Sequence, residues 1–341
     1  MSAKRLIGLL LAPAVLLLGG CQKLVLLHPQ GFVAKQQSDI MITSTIIIAI
    51  IIVPVLIAIA VVAWKYRASN KKAKYTPEWD HSSQLELLVW AGPLLIIIAV
   101  GAISWIGTHK TDPYAKIDRA DAGTAINAAD KPLEVDVVSM RWKWLFFYPQ
   151  YGIATVNELA APVNRPINFK ITSSDMMDAF FVPTLAGMIY TMPGMQTQLH
   201  AVINKPGKYK GMSANFSGAG FTHMQFWFYG KTKQGFEQWV AKVRAKGTDL
   251  STSAYLQLHK PSIAVPVTYY TKFSPGLYSR ILNRCVIPGQ VCLSQQMAYD
   301  RRTDEGKLWQ KGKDKVKAMN MSMPMPAVTS KPASASTAAA H

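Results

Sequence analysis

Two long apolar runs, then short alternating runs, then a polar tail divide the chain by period. Ile42 to Ala63 and Leu85 to Ile106 are almost unbroken apolar segments. Each has about the length, roughly 20 residues, that carries an α-helix across the ~30 Å hydrocarbon core of a bilayer. Pro54 and Pro93 fall inside them, as membrane helices allow when neighbours satisfy the freed backbone groups. From Leu133 the period drops to two. Leu133, Val135 and Val137 alternate with Glu134 and Asp136, then Met140, Trp142, Trp144 and Phe146 alternate with Arg141 and Lys143. The register flips around Val138-Ser139, which predicts a strand with a bulge. Ile167, Phe169 and Ile171 predict another strand, and Gln225 to Tyr229 a last aromatic one. With Pro and Gly between them, these strands predict a small antiparallel β-sandwich. After Gly230 the period becomes helical. Phe236, Trp239, Val240 and Val243 share one face opposite Lys242 and Arg244, which predicts an amphipathic helix. Residues 250–300 carry no sustained pattern, only short helices or loops.

Ahead of the long runs, Lys4 and Arg5 precede an apolar stretch from Leu6 to Leu18, followed by Gly19, Gly20 and Cys21. This pattern reads as an export signal. Its small residues before a Cys, with Leu18 three positions upstream, resemble the lipobox of bacterial lipoproteins, in which Cys21 would be acylated. The expected organisation is therefore a lipoprotein signal over 1–20, a two-helix membrane hairpin over 21–108, and an Ala/Asp/Gly-rich linker over 109–130. The sandwich follows over 131–230, then a helical or irregular extension over 231–310 and a disordered Met/Lys-rich tail over 311–341.

Charge fixes the orientation. Five basic residues lie between Trp64 and Lys74, and the positive-inside rule places that loop in the cytoplasm, with Trp64, Tyr66 and Trp105 as interfacial anchors. The N-terminus and the C-terminal two thirds then face the periplasm of a bacterial inner membrane. The net charge is +18, of which +13 lies from His109 onward, with 28 Lys and Arg against 15 Asp and Glu. An exported basic domain argues against nucleic acid as a partner. It suits anionic lipid or an acidic partner subunit, and it repels a cationic carrier protein.

The stretch Lys210-Gly-Met-Ser-Ala-Asn-Phe-Ser-Gly-Ala-Gly-Phe-Thr-His-Met224 has the spacing of a copper-binding loop with other residues at the ligand positions. Trp64-Lys-Tyr-Arg-Ala-Ser-Asn70, Thr108-His109 before Asp112-Pro113, Ser139-Met-Arg-Trp-Lys-Trp144, Gly152-Ile-Ala-Thr-Val-Asn-Glu158 and Gly194-Met-Gln-Thr-Gln-Leu-His200 complete the picture. Over most of the mature chain these motifs resemble subunit II of the haem-copper respiratory oxidases, in the quinol-oxidising branch of cytochrome bo type. In the branch that oxidises cytochrome c, the sandwich is a cupredoxin holding a dinuclear copper centre. Laid on this chain, its early His falls at Asp178, its two Cys at Ser213 and Ser217, its Glu carbonyl position at Asn215, its His at Phe221 and its Met at Met224. Only Met224 matches. Hydroxyls, a carboxylate and a phenyl ring cannot replace bridging thiolates and imidazole. The resemblance therefore implies a cupredoxin-like domain without its metal, no cofactor in this subunit and no docking of cytochrome c. Trp142 matches the position through which the copper-bearing branch receives electrons, and with no acceptor beneath it is expected to be core filler.

The same resemblance implies that ubiquinol delivers electrons directly to a partner subunit I, which carries the haems and one copper. The complex would oxidise two ubiquinols, reduce oxygen to water and move charge outward. Glu86 matches a family Glu at the mouth of a proton pathway into subunit I. The residues also allow a plainer role, because Ser83 and Glu86 have the spacing of a capping box at a helix start. Cys285 and Cys292, with six residues between them in an oxidising compartment, are a possible disulfide. The run Met319-Asn-Met-Ser-Met-Pro-Met325 could attract Cu(I) through thioethers, although solvated linker explains it equally. That run leaves open an alternative from another class, a membrane-tethered periplasmic copper carrier.

Overall fold

The computed structural model describes residues 24–303 except 75, 122–123 and 127–130, together with 307 and 314. The export signal, Cys21 and the Met-rich run lie outside the described residues. The chain forms two compact units, residues 1–287 and 288–341.

In the first unit, α1 (Phe32–Lys65) and α2 (Ser83–Lys110) form the hairpin, and the apolar surface of both is left uncovered by the rest of the chain. At 1.5 Å per residue a helix the length of α1 measures about 50 Å, well beyond a bilayer core. It starts ten residues before the apolar run that predicted it, and those ten residues seat it on the outer domain. Gly31, just before α1, bridges to Ile203, and its N–H and that of Gln30 both donate to the Thr184 carbonyl at 2.9 Å. A Cβ on Gly31 would lie 2.6 Å from the Leu185 carbonyl oxygen, so the close approach needs glycine here. At its far end α1 stops at Lys65. Asn70 Nδ2 donates to the Lys65 carbonyl at 2.6 Å and Arg67 stacks over Trp64 at 4.3 Å, satisfying a carbonyl that the helix end leaves free.

The linker contains a short hairpin, β1 (Arg119–Asp121) and β2 (Thr124–Ala125). The sandwich follows as β3 (Leu133–Met140), β4 (Lys143–Tyr148), β5 (Ile153–Val156), β6 (Glu158–Pro162), β7 (Ile167–Ser173), β8 (Asp178–Phe181), β9 (Ile189–Thr191), β10 (Thr197–Ala201), β11 (Gly207–Ser213) and β12 (Gln225–Lys231). After α3 (Lys233–Lys246) the extension adds β13 (Thr248–Leu250), α4 (Thr252–Leu258), β14 (Thr268–Phe273) and α5 (Leu277–Leu282). One sheet runs β10-β7-β3-β4-β5-β14-β13 and the other β6-β12-β11-β8-β9. Most neighbours are antiparallel, while β3–β7, β6–β12 and β13–β14 run parallel.

Leu133, Val135, Trp144, Phe146, Phe169, Phe180, Phe226 and Phe228 fill the space between the sheets. Fully burying one such side chain contributes about 1.5–3 kcal/mol. The expected bulge in β3 is not there. Even-numbered residues point outward along the whole strand, and Val138 and Met140 are apolar because a second core covers that face. The extension supplies that core through Leu250, Tyr255, Tyr270, Leu277 and Ile281, packed on Val138, Met140, Leu145 and Phe147. The run that predicted one long strand is instead the hairpin β3–β4, with Arg141 and Trp142 at its turn. The helical face after Gly230 is observed: Phe236, Trp239, Val240 and Val243 are buried on α3, and the Thr232 side chain caps its start.

In the second unit, Pro288–His341, α6 spans Leu293–Arg302 and has no buried residue. Cys285 and Cys292 are both disulfide-bonded.

Candidate functional site

The loops that correspond to the copper site emerge together at one end of the sandwich. β8 begins with Asp178, β11 ends with Ser213, and the two strands pair with Ser213 opposite Phe180. Ser139 lies near the end of β3 in the other sheet. Asp178 is completely buried. Its Oδ2 accepts a hydrogen bond from the Ser139 hydroxyl, and its Oδ1 is 3.3 Å from Ser213 Oγ. Ser213 has one hydroxyl proton, offered to this oxygen or to the Asn215 carbonyl at 3.1 Å, and its oxygen is 3.4 Å from the Ala179 and Asn215 N–H groups. Burial raises the Asp178 pKa, and the surrounding serine hydroxyls offset part of that rise. Ser217 Oγ is buried beside them without a hydrogen bond of regular geometry.

The late loop is fixed by its backbone. Asn215 Nδ2 donates to the Met177 carbonyl at 3.0 Å, joining it to the early loop. Met224 is buried, and its carbonyl accepts from the Ser213 N–H at 3.1 Å. Phe221 is half-buried against Phe216, with ring centroids 5.6 Å apart, and Phe216 stays exposed. His223 faces solvent.

Trp142 is not core filler. It is half-buried at the β3–β4 turn with φ +63°, its Nε1 donates to the Ser217 carbonyl at 2.9 Å, and its ring lies over Gly218 and Gly220. A Cβ on Gly220 would come within 2.4 Å of the indole. The core tryptophan is Trp144, edge-on to Phe180 and Phe226 at 5.5 and 5.7 Å.

The structure therefore brings Asp178, Ser213, Asn215, Ser217, Phe221 and Met224 to one place, and their chemistry does not fit a dinuclear copper centre. The oxygens available are hard donors, those of Asp178 and Ser213 already engaged in hydrogen bonds, and no thiolate or imidazole stands among these positions. Among the described residues no group of three His, Cys, Asp or Glu is placed to hold a metal ion.

Sequence reasoning missed the second polar cluster beside this one. Asp175 in the early loop accepts from His259 Nε2 at 3.0 Å and lies 3.4 Å from Arg141 Nε and 3.1 Å from Ser174 Oγ. The hydrogen bond from His259 holds the Asp175 carboxyl below the usual range against the opposing effect of burial. Lys143, expected on a solvent face, is fully buried under the extension. Its Nζ donates to the Lys260 carbonyl at 2.8 Å and to Ser262 Oγ, and burial lowers its pKa. These contacts clamp the extension onto the loop end of the sandwich. Only an outward position of β4 lying next to Leu145 and Phe147 would have signalled a covered lysine.

At the other end of the hairpin, α2 begins at Ser83 with Ser82 as its N-cap residue, so the expected Ser83–Glu86 capping box does not form. Ser83 Oγ is instead 3.2 Å from His81 Nε2, and His81 Nδ1 is 3.7 Å from Glu86 Oε2. Both side chains are exposed.

The profile of the family described as the periplasmic domain of cytochrome c oxidase subunit II matches residues 150–228, and that of the COX aromatic rich motif matches residues 244–289. The chain is 46% identical over 274 residues to the cytochrome bo(3) ubiquinol oxidase subunit 2 of Pseudomonas aeruginosa, covering 80% of each chain. It is 41% identical over 308 residues to the ubiquinol oxidase subunit 2 of Acetobacter aceti, covering 90% of this chain and 94% of that one. The solved periplasmic domain of subunit II of cytochrome oxidase from Bradyrhizobium japonicum is 23% identical, with 36% of this chain and 98% of that chain covered and a TM-score of 0.33.

Proposed function

The chain belongs to the ubiquinol oxidase subunit 2 family and is a subunit of a quinol oxidase complex, and on that premise we propose that it works without a redox centre of its own. The observation that carries this reading is the Ser139–Asp178–Ser213 network. It fills that end of a cupredoxin-like fold with hydrogen-bonded oxygen atoms. Copper there would have to displace buried hydrogen bonds and gain neither thiolate nor imidazole in return, only the Met224 thioether. Electrons from ubiquinol then enter the partner subunit I within the bilayer, where the haems and one copper are expected. Two ubiquinols supply the four electrons that reduce one oxygen molecule to two waters. The outer domain supports subunit I from the periplasmic side, and Cys21 anchors the N-terminus through acyl chains. The copper-carrier alternative rests on the Met-rich run from Met319 to Met325, which lies outside the described residues.

Glu86 is proposed to collect protons on the cytoplasmic side. The first turn of α2 carries it next to His81 and leaves it open to water. No capping box forms here, and the helix dipole alone remains as the plainer reason for a carboxylate in this first turn.

The test uses the purified complex. Ubiquinol should support oxygen consumption and reduced cytochrome c should not. The electron paramagnetic resonance spectrum should lack the signal of a mixed-valence copper pair. Such a signal, lost in a complex carrying Asp178→Ala, would overturn the reading.

A further inference from the structure

An opening of about 720 Å³ in the first unit lies where the membrane hairpin meets the linker and the outer domain. Its walls divide by chemistry. Ile40, Ile103 and Ile106 give an apolar floor formed by the outer ends of α1 and α2, continuous with the uncovered apolar surface of the hairpin. Lys110, Lys116 and Arg119 stand on the rim, all exposed. A fourth cation, Lys35, is paired with Asp39 at 3.2 Å. Two further acids line the opening, Asp118 and Asp112, and Asp112 accepts the Tyr114 N–H at 2.9 Å. The rim thus keeps a surplus of positive charge. His200 on the same wall has its pKa lowered, first by burial and second by the charge of Lys116, so a positive field reaches into the opening. One acceptor in the wall, Gln36 Oε1, is buried with no hydrogen-bond partner.

The level in the membrane follows from the hairpin. The apolar runs end at Ile42 and Ile106, so Lys110 and the linker cations sit just beyond the hydrocarbon core, at the depth of phosphates. An apolar floor below and a cationic rim above match a molecule with acyl chains and an anionic head. A neutral quinone would leave the rim charges unused, and a zwitterionic lipid would set its ammonium against them.

We infer that this junction binds an anionic phospholipid of the outer leaflet, with its chains along Ile40, Ile103 and Ile106, its phosphate at Lys110, Lys116 and Arg119, and a head-group hydroxyl within reach of Gln36. The inference rests on the orientation that places the outer domain in the periplasm. The lipid cements the joint between helices and sandwich, and the position of α1 on the outer domain then responds to membrane composition.

The experiment is native mass spectrometry of the full complex, washed with delipidating detergent and returned to nanodiscs containing phosphatidylglycerol, phosphatidylethanolamine or phosphatidylcholine. The wild-type complex should hold at least one phosphatidylglycerol through a second wash and neither of the other lipids. Lys110→Gln/Lys116→Gln/Arg119→Gln should lose it, and Lys208→Gln/Lys210→Gln, with both changes on β11, should keep it. If the triple variant fails to assemble, Ile106→Trp, which narrows the floor without altering charge, should cause the same loss. Equal retention in wild type and pocket variants overturns the inference, as does loss in the β11 control or retention of a quinone in place of the phospholipid. Ubiquinol oxidation by the wild-type complex, measured in parallel, tests the family reading separately.

Discussion

Ser139 and Asp178, 39 residues apart and on opposite sheets, share a fully buried hydrogen bond at the end of the sandwich where a copper-bearing relative would hold its metal. The bond joins β3 to β8 across the two sheets. Removing one partner leaves a buried polar group unsatisfied, at a cost of roughly 1–3 kcal/mol. Ser139→Ala should therefore lower the hydrogen-exchange protection of β3 and β8, while ubiquinol oxidation per assembled complex stays at the wild-type rate. A proportional fall in that rate would give the cluster a role in turnover.

Asp136 gives a pH dependence. Burial raises its pKa from 3.8 to about 6 despite Lys170 nearby, and its Oδ1 has no hydrogen-bond partner. The folded form holds the proton more tightly than the unfolded chain, so the contribution to stability is complete below pH 3.8 and is lost as pH rises through about 6. At neutral pH the charged carboxylate costs about 3 kcal/mol. Asp136→Asn should raise the resistance of the outer domain to denaturant at pH 7.5 and have almost no effect at pH 4. An equal effect at both values would show that the charge is not the cause.

The membrane hairpin and the aromatic core were legible because each has a single period set by one surrounding: lipid for Ile42 to Ala63, the sheet interior for Leu133, Val135 and Val137. The six positions singled out from the spacing of the loop, Asp178, Ser213, Asn215, Ser217, Phe221 and Met224, lie together at one end of the sandwich. What the sequence hid depends on elements far along the chain. Val138 and Met140 looked like a register flip because the cover over them comes from Tyr255, Leu277 and Ile281, more than a hundred residues later. Lys143 looked solvated for the same reason, since its partners are Lys260 and Ser262. Trp142 looked like core because the hairpin turn that displaces it has no Gly or Pro to announce it.

Trp142 offers a test of how the loop is held. Its left-handed backbone conformation is strained for a bulky residue, and its indole holds down Gly218 and Gly220 while donating to Ser217. Trp142→Ala should leave the strain and remove the contacts, destabilising the loop by roughly 1–3 kcal/mol. Amide exchange across residues 214–224 should accelerate while β12 stays protected. Gly220→Ala, which forces a Cβ into the indole, should produce the same pattern; unchanged exchange in both would mean that the loop is held from below by Ser213 and Met224 alone.

Glu86 and His81 provide the test of proton uptake. The imidazole and carboxylate are 3.7 Å apart at the start of α2, both open to solvent, which suits groups that exchange protons with bulk water and hand them inward. Glu86→Ala should slow ubiquinol oxidation several-fold with normal assembly, and Glu86→Asp should restore part of the rate. The ratio separates the two roles: a residue that only steadies the helix would change the yield of complex and leave turnover per haem constant. His81→Ala should have a smaller effect, largest at alkaline pH where protons are scarce. Full turnover in an assembled Glu86→Ala complex would confine this carboxylate to the helix end and place proton uptake elsewhere in the complex.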